Sequence, residues 1–556
     1  MYYHQDILKK RMKKFLFSVI VLCGLLACSS EIDDLKKEIA DLEALGQQLK
    51  RTGDSLQNAN NQTQNEIDNT QGQIDQTLLD INKVSLAYFE FLHADNPYQL
   101  VEDVNCEIAG DSIVCWVPNI MPNKVLIPHF GFQGNKMTIG GKAAESGVTA
   151  FDFGKPQKVT ISSDLLSKDY TVYVYSYTGL PMVWLMTSNR ENISISERIY
   201  QAKLKIVENA RTRGAGDVIE GNVRLRAVGP VSWESSRLDG SSQMGKNNYR
   251  FSFASGISVL DEPANTTWDL MSNAIDPTML HTQTGFHMGK ISNLHYTPRF
   301  HFADLMLNER YFGTYLLGET IDYSSARTDV GIDGFIVKID ASTSNACFST
   351  DHIEEPVSVV YPTVSTSEGN FQFISDYVRS AEKTLFGSNF TDTSEGWQKY
   401  LDMDSFVDWY LINEIAKNQD GDFHADCYMN MKRDGKLRMG PLWKMERSFG
   451  YDDSSTSGFV IKNTKWFDRL FQDPAFVAKV KERFTYFYNH KNDILKEIDS
   501  DAYYLRNAIL ENNNKWEVYE VYSTSELNRL YKNDVSEMKT WFENRLDWLN
   551  EEFSKM

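Results

Sequence analysis

The side chains best placed to do chemistry in this chain fall within a few short stretches of its second half. Gly245-Lys246-Asn-Asn-Tyr249-Arg250 sets two cations at the start of a strand-like run, and Asp304-Leu-Met-Leu-Asn308-Glu-Arg-Tyr-Phe-Gly313-Thr-Tyr315-Leu-Leu-Gly-Glu319 reads as a hairpin ending on a carboxylate. Further on, the helical run from Phe406 to Lys417 leads into Asn418-Gln-Asp420-Gly421, and a second hairpin from Cys427 ends in Gly440-Pro441-Leu-Trp443-Lys444-Met445-Glu446-Arg447. Lysines hold phosphates and are themselves steadied by glutamates; carboxylates accept protons or take magnesium, which wants oxygen ligands in tight octahedral geometry. Each stretch alone has a plainer meaning. Asn-x-Asp-Gly is ordinarily a turn, and an isolated lysine or glutamate is ordinarily a surface charge.

Taken with Arg224-Leu-Arg-Ala-Val-Gly229-Pro-Val-Ser-Trp233 and with Trp268-Asp-Leu-Met-Ser-Asn273 through Met279-Leu280, these stretches resemble the CotH kinase family of secreted atypical kinases over nearly all of 217–556. The resemblance implies an α+β kinase-like domain with a helical C-terminal half. It also implies ATP with magnesium or manganese as cofactors, and phosphoryl transfer to Ser or Thr of exported proteins. By the same resemblance Asp420 stands beside the hydroxyl being phosphorylated and takes its proton, with Asn418 nearby. Lys246 paired with Glu319, together with Arg250, holds the nucleotide.

The chain departs from the family pattern where the cofactor ion is expected. Pro230 and Val231 replace a polar Asn and Ser, His281 stands where an arginine is usual, and Lys444-Met445-Glu446 replaces an Asp-x-Asp sequence. Lysine offers no oxygen and reverses the charge beside a divalent ion; at roughly 1 to 4 kcal/mol per unit pair at contact distance, the penalty is several kcal/mol. Glu446 keeps one carboxylate as a weak metal ligand, Lys444 can neutralise phosphates directly, and Asp452 and Asp453 lie just beyond as substitutes. The expectation is a kinase fold with impaired turnover. The alternatives are a pseudokinase and a cell-surface binding, adhesion or glycan-handling scaffold.

The elements that must carry this site are legible from the N-terminus inward. Lys9, Lys10, Arg11, Lys13 and Lys14 precede the apolar run Phe15 to Ala27, which is too short for a permanent span and reads as a signal peptide over 1–28, with translation starting at Met1 or Met12. Leu25-Leu26-Ala27-Cys28 resembles a bacterial lipobox with Cys28 as the lipidated residue; Cys23 follows the bulky Leu22 and fits less well. Ser29-Ser30-Glu31 with Asp33 and Asp34 resembles the signals that send Bacteroidetes lipoproteins to the outer cell surface, a periplasm-facing anchor being the alternative.

Leu35, Leu42, Leu49 and Leu56 recur at heptad spacing, and Ile67, Ile74 and Ile81 resume it, so 29–92 reads as a polar coiled-coil stalk able to join copies of the chain. Short β-branched and aromatic segments over 96–180 suggest an immunoglobulin-like β-sandwich. There Cys106 and Cys115 flank Gly110-Asp111-Ser112 and can bridge a hairpin. Residues 181–216 read as a linker, and 217–556 as strands followed by helices around Asp404 to Lys417, Pro474 to Lys496 and Ser523 to Phe553. An excess of 76 acidic over 57 basic residues argues against nucleic acid as a partner.

Overall fold

Residues Ser29–Ile81 form one unbroken helix, α1, that runs through Gly46, Gly53 and the whole Asn/Gln-rich stretch. What holds that polar stretch helical is a series of i,i+4 side-chain bonds. Gln64 donates to Asp68 at 2.9 Å and Gln71 to Asp75 at 2.8 Å, with Gln57 to Asn61 and Gln76 to Asp80 alike. Each contributes about 0.2 to 0.5 kcal/mol.

The computed structural model describes residues 13–14, 29–100, 103–117, 124–193, 198–207, 218–229, 235–236, 242–243, 245–340, 345–521 and 523–556. Cys28, Pro230 and Val231 lie outside them, as does the expected signal peptide apart from Lys13 and Lys14. The chain divides into two units, one of residues 1–86, 132–137 and 161–168, the other of 87–131, 138–160 and 169–556. Among the described residues no helix is long and apolar enough to cross a membrane.

The helix ends earlier than the expected boundary at 92. Ser85–Phe91 is a strand, β1, with Phe89 and Phe91 buried, so β structure begins at Ser85 and not near Asn96. The period-two spacing of those aromatics decides for a strand. Beyond it come β2 (Glu107–Ala109) and β3 (Ser112–Val117), a hairpin closed by the Cys106–Cys115 disulfide. Strand β4 (Ser167–Ser176) pairs parallel with β3, Thr171 opposite Ser112.

A second correction concerns 181–216. Far from a linker, it supplies β5 (Met182–Thr187) and β6 (Tyr200–Val207), the first strands of a closed barrel. The barrel continues with β7 (Val218–Val228), β8 (Asn248–Val259), β9 (Glu262–Met271), helix α2 (His281–Lys290), β10 (Phe300–Leu307) and β11 (Arg310–Glu319). Closure comes from β10 lying parallel to β5, Asp304 opposite Met182. Alternate residues such as Val223, Leu225 and Ala227 point inward onto Phe251, Trp268 and Tyr315.

The C-terminal half joins a five-stranded antiparallel sheet to helices. The sheet contains β12 (Phe335–Ile339), β13 (Val357–Tyr361), β14 (Cys427–Met431) and β15 (Arg438–Met439). Helix α3 (Met403–Ala416) is capped by Asp402, whose side chain accepts from Ser405 N, and is buried from Ser405 to Ala416. An all-round buried helix is a domain's central element, and α3 delivers the Asn418–Asp420 loop. The helix expected over Pro474 to Lys496 is two, α4 (Pro474–Asn489) and α5 (Lys491–Tyr504), broken at His490, whose Nδ1 lies 2.8 Å from the Tyr486 carbonyl. Helices α6 (Ala508–Trp516) and α7 (Thr524–Lys555) follow, α7 opening with Ser523 accepting from Glu526 N, half of a capping box.

Candidate functional site

The loop after α3 is built to hold one aspartate. Lys417 turns the chain in a left-handed conformation, φ 55°, and its Nζ donates to the carbonyls of Ser455 and Ser457 while pairing with Asp453 at 2.7 Å. Asn418 then caps a single turn of 3-10 helix, Gln419–Asp422. Its Oδ1 accepts from Asp420 N at 3.3 Å and its Nδ2 donates to Asn413 Oδ1 at 2.9 Å. Asn413 on the buried helix thereby fixes Asn418, and Asn418 fixes Asp420.

Asp420 and Asn418 line a cavity of about 300 Å³ with Lys246, Lys444, Glu446 and Arg447. Sequence positions almost 200 apart thus share one wall. A tighter cleft beside it adds Asp426 to Asn418, Asp420 and Lys444. Burial pushes the Asp420 carboxyl up from the ordinary range and repulsion from Asp426 adds to this, while Lys444 gives the largest opposing field. Glu446 is likewise pushed up by burial and again relieved first by Lys444. Lys246 is pushed down to about 7 by burial, against the fields of Glu446, Asp304 and Asp276. Burial therefore makes both carboxyls weaker acids than usual and Lys246 a weaker base, the direction in which a carboxylate acting as general base gains proton affinity.

Lys246 does not pair with Glu319. Its Nζ donates to Asn512 Oδ1 on α6 at 3.1 Å and lies 5.2 Å from the centroid of the Tyr315 ring. Strand register explains the failure. Glu319 is opposite Trp268, and Trp268 opposite Phe251, whereas Lys246 precedes Phe251 by five residues, ahead of the start of β8, roughly 16 Å of extended chain at about 3.3 Å per residue. Glu319 is fully buried and accepts from Tyr296 Oη at 2.7 Å, Arg299 N at 3.0 Å and Arg299 Nε at 2.8 Å. Arg250 is also outside the cavity. Its guanidinium grips its cross-strand neighbour Asp269 at 2.6 and 2.8 Å.

Behind Glu446 stands His281, the residue at the arginine position. A carbonyl only accepts, so His281 Nδ1 donates to the Glu446 carbonyl at 3.0 Å. The loop under His281 is tied by Asp276, which accepts from Thr278 Oγ1 at 2.7 Å and His281 N at 2.8 Å. The substitutes proposed for the metal ligands are engaged elsewhere, since Asp452 accepts from Arg447 Nε at 2.6 Å and Asp453 holds Lys417.

A magnesium or manganese ion does not fit this donor set. Asp426, the carboxylate nearest Lys444, sits between Lys338 at 2.6 Å and Lys444 at 3.5 Å. Among the described residues no group of three or more His, Cys, Asp or Glu side chains converges to hold a metal. A divalent ion 4 Å from the Lys444 ammonium would be repelled by about 2 kcal/mol in water and about 8 at the effective dielectric of a protein surface.

Sequence reasoning missed Asp426, Lys338 and Asn512. Asp426 carries a faint signal as the third aspartate of Asp420-Gly-Asp-Phe-His-Ala-Asp426, one residue before β14. Asn512 arrives from a helix 266 residues beyond Lys246 and carries none.

The family described as CotH kinase protein matches residues 211–549 of this chain. The chain belongs to the CotH kinase family. No curated protein matches it. A solved structure from Bacteroides thetaiotaomicron, provisionally described as a glycoside hydrolase, is similar over 51% of this chain and 80% of its own at 13% identity, with a TM-score of 0.16; so low a score carries no argument. CotH membership accounts for the mixed sheets and helical C-terminal half.

Proposed function

We propose that the CotH domain takes a nucleoside triphosphate in the cavity beside Asp420 and transfers its γ-phosphoryl group weakly to Ser or Thr of exported proteins. One observation carries the proposal: Lys246, Asn418, Asp420 and Glu446, drawn from distant parts of the chain, line a single cavity. In this account Lys246 meets the phosphates. Asp420, made less acidic by burial, accepts the hydroxyl proton as the oxygen bonds to phosphorus and the nucleoside diphosphate leaves. Weak turnover follows from the cationic Lys444 beside the carboxylates.

The test incubates the full chain with γ-labelled ATP and magnesium or manganese beside Asp420→Ala and Lys444→Asp. Trace incorporation that vanishes in Asp420→Ala and rises in Lys444→Asp is the expected result. A second reading, a pseudokinase or binding scaffold, is favoured by the Lys444–Asp426 ion pair; it prevails if none of the three proteins incorporates label.

For the rest of the chain we propose a lipid anchor at Cys28 in the outer membrane facing the cell surface, α1 as a coiled-coil stalk, and the β region as an immunoglobulin-like spacer. Incorporation of labelled fatty acid, absent in Cys28→Ser, tests the anchor.

A further inference from the structure

We propose that the Lys444 ammonium stands in for a divalent ion, so that the groove takes its nucleotide free of metal. This deepens the nucleotide reading above and rests on it. Lys444 pairs with Asp426 at 3.5 Å and, with Asp420 and Glu446, lines the same cavity. It is also the cation whose field most relieves both of those buried carboxylates. A metal ion bridging these groups would have to displace it.

The charge balance points the same way. Relative to a carboxylate at position 444, an ammonium adds two units of positive charge, the charge of one divalent ion. Lys338 reinforces the arrangement by clamping the other oxygen of Asp426 at 2.6 Å, so this carboxylate is already neutralised from both sides. Lys246 lines the same cavity and offers a second ammonium. A polyphosphate entering without its metal therefore meets two cations, whereas a metal-bound one brings its ion against Lys444.

Two arms test this on the purified full chain, with circular dichroism showing that each variant folds. In the first, manganese alone is titrated and bound ion read by electron paramagnetic resonance. The wild type takes up none at this site and Lys444→Asp gains one. Equal uptake by the two proteins overturns the proposal. In the second, ATP is titrated calorimetrically in chelator and in magnesium. The wild type binds at least as tightly in chelator, Lys444→Gln loses tenfold or more in chelator, and Lys444→Asp binds only with magnesium. ATP binding by the wild type that requires magnesium also overturns it. If no protein binds ATP under either condition, the nucleotide reading fails and with it the metal-free nucleotide, while the manganese arm still decides the place of Lys444.

Discussion

Arg545 Nη2 lies 2.9 Å from Glu414 Oε1, and neither side chain is exposed to solvent. Glu414 also accepts the N–H groups of Val460 at 2.8 Å and Ile461 at 2.9 Å, and Arg545 donates to the carbonyls of Thr456 and Gly458. The pair therefore ties α3 and α7 to the loop that packs under Asp420. Losing one partner of a buried ion pair leaves the other charge unpaired, which costs about 3 to 5 kcal/mol. Arg545→Met should lower urea stability by that amount, and Glu414→Gln with Arg545→Met should recover part of it. A loss under about 1 kcal/mol in the single variant would refute the role given to the pair.

Lys246 gives the site a pH dependence of known sign. Burial lowers its folded-state value to about 7, against about 10.4 for an ordinary lysine. Between those limits the unfolded chain holds a proton that the folded chain lacks, so stability rises with pH through this window. Anion binding needs the ammonium and runs the other way, weakening as pH rises through about 7. From pH 6 to pH 8 the protonated fraction falls about tenfold, and ATP affinity measured by calorimetry should fall with it. The titration of ATP itself is removed by comparison with Lys246→Met, which should show no such loss.

Gly421 is a steric checkpoint for the Asp420 loop. A Cβ there would lie 2.7 Å from Ile461 Cδ1 and 3.1 Å from Asn413 Cβ. Overpacking of this kind costs typically about 1 to 3 kcal/mol. Gly421→Ala should therefore weaken ATP binding more than it lowers the melting temperature, because the loop yields before the core does. Ile461→Val removes the offending methyl and should restore binding in the double variant. A double variant as weak as the single one would mean that Asn413, not Ile461, sets the limit.

Local signals reached some of this molecule and not the rest. The Cys106–Cys115 bridge across a short turn, the strand Ser112–Val117 and the helix carrying Asp408 to Asn413 are local features, and each was readable from spacing. Family motifs led to Asp420, Lys246 and Glu446, which meet in one cavity. Register between distant strands leaves no local trace, so nothing near Glu319 in the sequence signals that its cation is Arg299, 20 residues away, and not Lys246. The barrel's first two strands were hidden for a similar reason: Met182–Thr187 and Tyr200–Val207 stand apart from the family motifs, and their partners include Asp304 to Leu307, more than 100 residues on.

The stripe of leucines on α1 should make the chain self-associate. Leu42, Leu49 and Leu56 are 64%, 65% and 66% exposed on a single copy, and burying such a side chain contributes roughly 1.5 to 3 kcal/mol. Three of them outweigh a weak helix-interior glycine, which costs about 1 kcal/mol, so Gly46 and Gly53 do not forbid pairing. Sedimentation of the full chain should show a dimer or trimer that dissociates on dilution. Replacing Leu42 and Leu49 by Lys puts like charges face to face in the seam and should give a monomer at every concentration, with the melting of the CotH domain unchanged. A wild-type chain that sediments as a monomer at high concentration would leave α1 as a single-helix spacer.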